Sequence, residues 1–119
     1  MFEDNAVLNK SKNFAFRVIR LNKYLNTKQK EYVMSKQILR SGTSIGANIK
    51  ESLFAQSRAD FYSKMNIALK EAGETEYWLE LLYRGGYIDA ESYKSINKDC
   101  QEVLKLLVSI VKSKPKYKS

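Results

Sequence analysis

The stretch SGTSIGANIKES, residues 41–52, places two glycines inside a helical pattern. Gly42 and Gly46 are four residues apart, and Ile45 and Ile49 repeat at the same spacing, which is close to one helical turn. Each glycine lowers the stability of a helix by about 0.5–1 kcal/mol relative to alanine. Their presence therefore predicts a compensating contact in which a neighbouring helix approaches closely.

Apolar residues recur at helical spacing on both sides of this stretch and predict four helices with short connections. Thr27, Ser57 and Asp89 are placed to cap the second, third and fourth helices. The helices are expected at about residues 6–25, 28–55, 58–84 and 89–113. These lengths predict an all-α protein, an antiparallel up-down-up-down four-helix bundle forming one domain over all 119 residues.

The hairpin of the second and third helices offers the glycines a partner. Gly46 is expected opposite Ala68, and Gly42 opposite Ala72 and Gly73, so that small residues meet small residues. We therefore predict that Gly42, Gly46, Ala68 and Ala72 let these two helices pack closely.

Composition excludes several classes of chemistry. Cys100 is the only cysteine and histidine is absent, which excludes an internal disulfide, a multi-cysteine zinc site and a Cys-His nucleophile pair. We predict no catalytic, cofactor-binding or metal-binding residues and no cofactor. No apolar run reaches the length of a signal peptide or a membrane span, so we expect a cytoplasmic protein without a membrane partner.

A polar ribbon follows the second helix and has three open interpretations. It is a solvated face, a buried hydrogen-bond network or a ligand site, with Glu71 and Glu74 as candidate partners. No nucleophile, metal site or phosphate loop accompanies these carboxylates, so we predict that the protein is not an enzyme. The ribbon consists of Arg40, Ser44, Asn48 and Glu51.

Aromatic residues make the end of the third helix apolar almost all round. One bundle core cannot absorb so wide an apolar surface, which predicts a homo-oligomer, either a closed ring or a dimer. The expected interface residues are Tyr77, Trp78 and Tyr83.

Basic residues are interleaved with Phe16 and Tyr24 on the first helix. This pattern fits binding to a nucleic-acid backbone with base stacking, or a solvated basic face whose aromatics lie in an oligomer contact. The cations are Lys12, Arg17, Arg20 and Lys23. The tail, residues 112–119, adds four lysines to a net charge of +8, and either attracts polyanions or keeps the protein in solution.

Three long segments carry a resemblance to a known family. The segments KSKNFAFRVIRLNKYL, LRSGTSIGANIKES and AQSRADFYSKMNIALKEAGETEYWLELL closely resemble the bacterial four helix bundle proteins, also named the 23S ribosomal RNA intervening-sequence protein family. Gly73 departs from the pattern, where a longer side chain is expected. The resemblance implies an up-and-down bundle and a ring-shaped homopentamer, without catalytic residues. Similar bundles accompany reverse transcriptases in retroelements, which implies RNA or a polymerase as partner.

Two functions are therefore expected from the sequence. The first is a non-enzymatic oligomeric scaffold or adaptor that binds structured RNA through the basic face. The alternative is a protein-protein interaction module, such as a polymerase accessory protein, without a direct role in nucleic-acid binding.

Overall fold

The computed structural model describes residues 5–115, and this part of the chain forms four helices without a strand. Each helix packs against two neighbours, in the cyclic order first to second, second to third, third to fourth and fourth to first. The predicted all-α up-down-up-down four-helix bundle is confirmed. The helices are α1 (Ala6–Thr27), α2 (Met34–Ser52), α3 (Arg58–Arg84) and α4 (Ala90–Lys112).

The core is formed by one apolar stripe from each helix, as amphipathic periodicity requires. Ala68 and Ala72 belong to this core and are completely buried. The other apolar residues of this core with at most 2% exposure are Phe14, Val18, Leu25, Ile38, Ile45, Ile49, Met65, Leu79, Leu82, Cys100, Val103 and Leu107.

Side-chain caps begin α3 and α4. The Ser57 hydroxyl accepts a hydrogen bond from the Asp60 amide at 3.0 Å, and the Asp89 carboxylate accepts one from the Ser92 amide at 2.7 Å. After α3, Gly86 adopts a φ of +85°, a conformation that residues with a Cβ rarely take. The Ser57 cap therefore fixes the end of the α2–α3 connection, and Gly86 with the Asp89 cap fixes the α3–α4 connection.

The start of α2 differs from the prediction of residue 28, because the helix begins at Met34. Thr27 does not cap α2; its hydroxyl donates to the Lys23 carbonyl at 2.7 Å, within the last turn of α1. Lys30 then turns the chain with a φ of +54°. The Glu31 carboxylate accepts the amides of Val33, Met34 and Ser35 at 3.1, 3.0 and 2.7 Å.

Glu31 thus supplies acceptors to the first amides of α2, which have no partner inside the helix. This cap explains why α2 starts six residues later than predicted. At the other end α2 stops at Ser52, where the predicted bound was 55, and the Leu53 and Phe54 amides make i to i−3 bonds of 3.2 and 3.0 Å.

The glycines of α2 contact α1, so the prediction that they lie opposite Ala68 and Ala72 of α3 is wrong. A Cβ built on Gly42 would lie 2.8 Å from Val18 Cγ2, and one built on Gly46 would lie 3.2 Å from Ser11 Oγ. Both of these neighbours belong to α1. The glycines therefore serve the α1–α2 contact.

The pairing of residues across the α2–α3 hairpin, measured along the helix axes, is nevertheless close to the predicted pairing. Thr75 Oγ1 donates to Ser41 Oγ at 2.8 Å, and Lys64 Nζ lies 3.1 Å from Glu51 Oε1. Counting residues from the turn sets the level along the helix axes. It does not set the rotation about them, and Gly42 is rotated about 100° from Ser41.

Within residues 5–115, none of the helices is long and apolar enough to cross a membrane. The same part of the chain contains no cluster of three or more His, Cys, Asp or Glu side chains that could hold a metal ion. Of the predicted basic tail, residues 116–119 lie outside the described residues.

Candidate nucleic-acid interface

The basic residues predicted on α1 are distributed over three parts of its surface. Lys12 lines a groove between α1 and α2, whereas Arg17 and Arg20 line a cleft between α1 and the start of α4. Lys23 is exposed, and Phe16, with 55% of its surface exposed, lies on the same outward side of the helix. The structure therefore does not gather the four cations into one compact site.

Arg17 is bound within the molecule. Its Nη1 atom lies 2.7 Å from Asp99 Oδ2 and donates to the Ser95 carbonyl at 3.2 Å, while Nη2 donates to Ser95 Oγ at 3.0 Å. This guanidinium joins α1 to α4, and its charge is compensated. Across residues 5–115, Lys12, Arg20 and Lys23 have no carboxylate within ion-pair distance.

The cleft between α1 and α4 has a volume of about 340 Å³. Tyr24, 41% exposed, stands at this cleft, and its hydroxyl accepts a hydrogen bond from Gln29 Nε2 at 2.7 Å. Asp89 bounds it on the α4 side, where the Ser92 amide stabilises the carboxylate and lowers its pKa. The lining residues are Arg17, Arg20, Leu21, Tyr24, Ile88, Asp89, Ser92 and Ile96.

The groove between α1 and α2 has a volume of about 330 Å³ and carries the lysines Lys12 and Lys50. Gly46 lines this groove, so the absence of a side chain there contributes to its depth. Its apolar and small lining residues are Leu8, Ala15, Thr43, Gly46 and Ala47.

The polar ribbon of α2 is exposed at its two ends, which form ion pairs, and half-buried in its middle. Arg40 binds Glu71 with a distance of 3.2 Å and also binds Glu74. Ser44 Oγ donates to the Arg40 carbonyl at 2.6 Å, and Asn48 Nδ2 donates to the Ser44 carbonyl at 2.9 Å. The middle of the ribbon therefore bonds to its own helix, and the remaining member, Glu51, pairs with Lys64 of α3.

Glu74 connects this ribbon to the single tryptophan. Trp78 Nε1 donates to Glu74 Oε2 at 2.9 Å, and this bond, followed by the one from Arg40, lowers the pKa of the Glu74 carboxyl. The hydrogen bond with Glu74 also raises the pKa of Arg40. Both charges of the pair are thus stabilised, which makes this cluster a link between helices and a poor source of a general acid or base.

Two of the three aromatics predicted at an oligomer interface have partners inside the molecule. Tyr83 stacks on Tyr93, with ring centroids 4.5 Å apart and an interplanar angle of 6°. Trp78 is half-buried and packs against the core. Tyr77 remains 55% exposed and touches Trp78 edge-on, at a centroid distance of 5.2 Å.

Cys100 is a core residue. Its side chain is fully buried, with Sγ 3.7 Å from the Ala72 carbonyl oxygen, and burial raises the pKa of the thiol to about 12. A thiol in this environment stays protonated and is not a nucleophile at neutral pH.

The sequence did not indicate Ile88, Asp89 and Ser92 as neighbours of the basic face. Asp89 was identified only as a helix cap, and more than sixty positions separate these residues from Arg20. Only the antiparallel packing of α4 on α1 brings them into one cleft.

Comparison with known proteins agrees with the bundle. The sequence model of a family described as 23S rRNA-intervening sequence protein matches residues 3–109. The chain is also similar to the crystal structure, at 1.70 Å resolution, of a protein of unknown function from the S23 ribosomal protein family of Bacteroides thetaiotaomicron. The two are 65% identical with a TM-score of 0.89, and the match covers 91% of this chain and 100% of that one. No curated protein matches.

Proposed function

The chain belongs to the family of 23S rRNA-intervening sequence proteins, and we propose that it is a non-enzymatic, homo-oligomeric four-helix-bundle scaffold that binds structured RNA through the basic face of α1. Neither the family nor the similar crystal structure is a known enzyme. The observation that carries the proposal is a set of cations that have no carboxylate partner among residues 5–115 and lie beside exposed aromatic rings.

On α1, Lys12, Arg20 and Lys23 lack carboxylate partners among residues 5–115. Phe16 and Tyr24 share this helix, with 55% and 41% of their surfaces exposed. Free cations attract phosphates and release counterions, while exposed rings accept unpaired bases by stacking. RNA with loops or bulges offers both groups, which favours structured RNA as the ligand.

The test measures the affinity of the full chain for an RNA hairpin at several salt concentrations. We expect affinity to fall as salt rises, and the double variant Arg20→Glu, Lys23→Glu to lose about tenfold or more. The control is Lys94→Glu, Lys98→Glu, which makes the same charge change on exposed positions of α4. No binding at low salt, or an equal loss in both double variants, would overturn the proposal.

The homo-oligomeric part of the proposal is supported by apolar surface left on α3. Tyr77 is 55% exposed and Ile67 is 39% exposed, so neither is absorbed by the core of one subunit. We propose a closed ring, for which light scattering at micromolar concentration should give a mass several times that of one chain. Tyr77→Lys should reduce that mass, whereas Val33→Lys, at another exposed apolar position, should not. A monomeric wild-type protein contradicts this part.

A protein-protein module is the second candidate, and the same exposed Tyr77 favours it. In this case a single protein partner would co-purify with the chain, and RNA would not bind at any salt concentration. Binding to the partner would then be lost in Tyr77→Lys and retained in the double variant of Arg20 and Lys23.

A further inference from the structure

We propose that the cleft between α1 and the start of α4 binds one nucleotide unit of an RNA strand, with its phosphate on Arg20 and its base on the apolar floor. This inference rests on the proposed RNA binding and adds a site that accommodates a base turned out of its stack. A volume of about 340 Å³ falls within the range of about 300–1,000 Å³ typical of small-ligand sites.

The floor of the cleft is apolar and belongs to the packed core. Ile88 and Ile96 are 7% and 5% exposed, and Leu21 packs beside them against the core. A planar base that covers Leu21, which is only partly buried, together with the small exposed parts of the two isoleucines removes apolar surface from water. An inorganic anion has no apolar surface to bury against these side chains.

On the α1 side of the cleft, Arg20 is the cation that the described part of the chain leaves available to a ligand. Arg17 lies at the cleft but is held by Asp99 and Ser95, whereas Arg20 has no carboxylate partner among the described residues. A guanidinium binds phosphate oxygens through two parallel hydrogen bonds, which fixes the orientation of the phosphate. Arg20 is therefore the phosphate ligand.

On the α4 side of the cleft, Asp89 determines which groups the end of the ligand away from the phosphate can carry. Asp89 Oδ1 already accepts the Ser92 amide at 2.7 Å, and this bond lowers the pKa of the carboxyl, so that at neutral pH the group is an acceptor only. It repels a phosphate and attracts hydrogen-bond donors, such as the amino group of cytosine. A ligand with an anion at one end and a donor at the other satisfies both walls.

Tyr24 adds a stacking surface at this cleft. The hydrogen bond from Gln29 restrains its hydroxyl, while 41% of the residue stays exposed. Stacking of a base on an aromatic ring contributes about 1–3 kcal/mol per base in proteins that bind single strands. The combination of a guanidinium without a carboxylate partner in residues 5–115, a ring, an apolar floor and an acceptor favours a nucleotide over an acidic protein side chain.

The test follows the isoleucine methyl groups of the full-length protein by NMR during titration with cytidine and uridine 5′-monophosphates, and separately with inorganic phosphate. We expect the monophosphates to shift the Ile88 and Ile96 signals and to leave Ile110, further along α4, unchanged. Inorganic phosphate should leave the floor signals unshifted. Arg20→Gln should weaken the binding of both nucleotides about tenfold.

Asp89→Asn is the second variant, because asparagine caps a helix as well as aspartate does and therefore preserves α4. We expect it to bring the affinities for cytidine and uridine monophosphate closer together by several-fold, since the charged acceptor for the cytosine amino group is lost. An unchanged affinity ratio would overturn the assigned orientation of the base.

Two further outcomes separate this inference from the proposed function. If hairpin RNA binds but the Ile88 and Ile96 signals do not move with nucleotides or with the hairpin, the cleft is not a nucleotide site and RNA binding by the α1 face still stands. If hexaglutamate shifts these signals and nucleotides do not, the cleft binds acidic protein segments, and the inference is overturned.

Discussion

A Cβ atom on Gly42 of α2 would lie 2.8 Å from Cγ2 of Val18 in α1, and Val18 is fully buried. Carbon atoms of neighbouring side chains are normally about 3.5–4.0 Å apart, so α2 lies closer to α1 than any residue with a side chain allows. The whole Val18 side chain lies close to this Cβ, because its Cγ1 and Cβ atoms would be 2.9 and 3.2 Å away. Glycine is thus required at position 42 by packing.

Replacing Gly42 with alanine should destabilise the bundle. Overpacking a core contact costs about 1–3 kcal/mol, which exceeds the gain of up to about 1 kcal/mol in helix propensity. Chemical denaturation monitored by circular dichroism measures the difference. Gly42→Leu should prevent folding or assembly. A Gly42→Ala variant as stable as the wild type would contradict the contact.

Gly73 provides the matched substitution with the opposite expected sign. Apart from its chain neighbours and the backbone of its own helix, no atom of residues 5–115 lies within 4 Å of a Cβ built there, although the residue is in the interior of α3. Gly73→Ala should therefore raise the free energy of unfolding by about 0.5–1 kcal/mol, through helix propensity alone. The same denaturation experiment tests it, and a loss of stability would show that the residue has a packing role after all.

The cap formed by Glu31 should be worth a measurable part of the stability. Glu31 is 8% exposed and accepts three backbone amides at the start of α2. Glu31→Ala removes these acceptors and should lower the free energy of unfolding by about 1–3 kcal/mol. Glu91→Ala, at an exposed first-turn position of α4, is the control and should have a much smaller effect. Equal effects would contradict a special role for Glu31.

Acid should disrupt the contact between Glu74 and Trp78 before it unfolds the bundle. The pKa of Glu74 is lowered below its usual value of 4.5, first by the Trp78 bond and then by Arg40. Because the folded value is the lower one, the stabilisation is present above pH 4.5 and is lost as the pH falls through the folded value.

Trp78 is the only tryptophan, so its fluorescence reports this titration directly. We expect a change in emission below pH 4.5 in the wild type and none in that range in Glu74→Gln. An identical acid titration in the variant would mean that another group is responsible.

Cys100 should react with a maleimide only when the bundle opens. The thiol is fully buried, and its pKa of about 12 leaves almost no thiolate at neutral pH. Mass spectrometry should detect slow labelling in buffer and fast labelling in denaturant. Ser109→Cys places a thiol at an exposed position of α4 and should react quickly in buffer. Comparable rates for the two thiols in the folded protein would contradict the burial of Cys100.

Helix number and the inward stripes were predictable because both depend on local periodicity. Ile38, Ile45 and Ile49 repeat at helical spacing, and all three are fully buried in the structure. The approximate level of α2 against α3 followed from counting residues away from the turn. Predicting these features does not require knowing which helix packs against which.

Rotation and neighbour choice, in contrast, depend on how all four helices pack together. Packing rotates Gly42 and Gly46 toward α1, and it turns Tyr83 onto Tyr93. A pattern within one helix identifies an apolar or small face but cannot specify the helix that covers it.

In the candidate site, too, some features were predictable from the sequence and others depend on how the helices pack. Sequence reasoning identified the basic residues of α1 by composition and spacing, and it established the bundle by periodicity and resemblance. It could not distinguish Arg17, which Asp99 compensates, from Arg20, which has no carboxylate within 4 Å among the described residues. Charge compensation is a distance between atoms on different helices. The cleft, its volume and its opposing charges therefore arose only when α4 packed against α1.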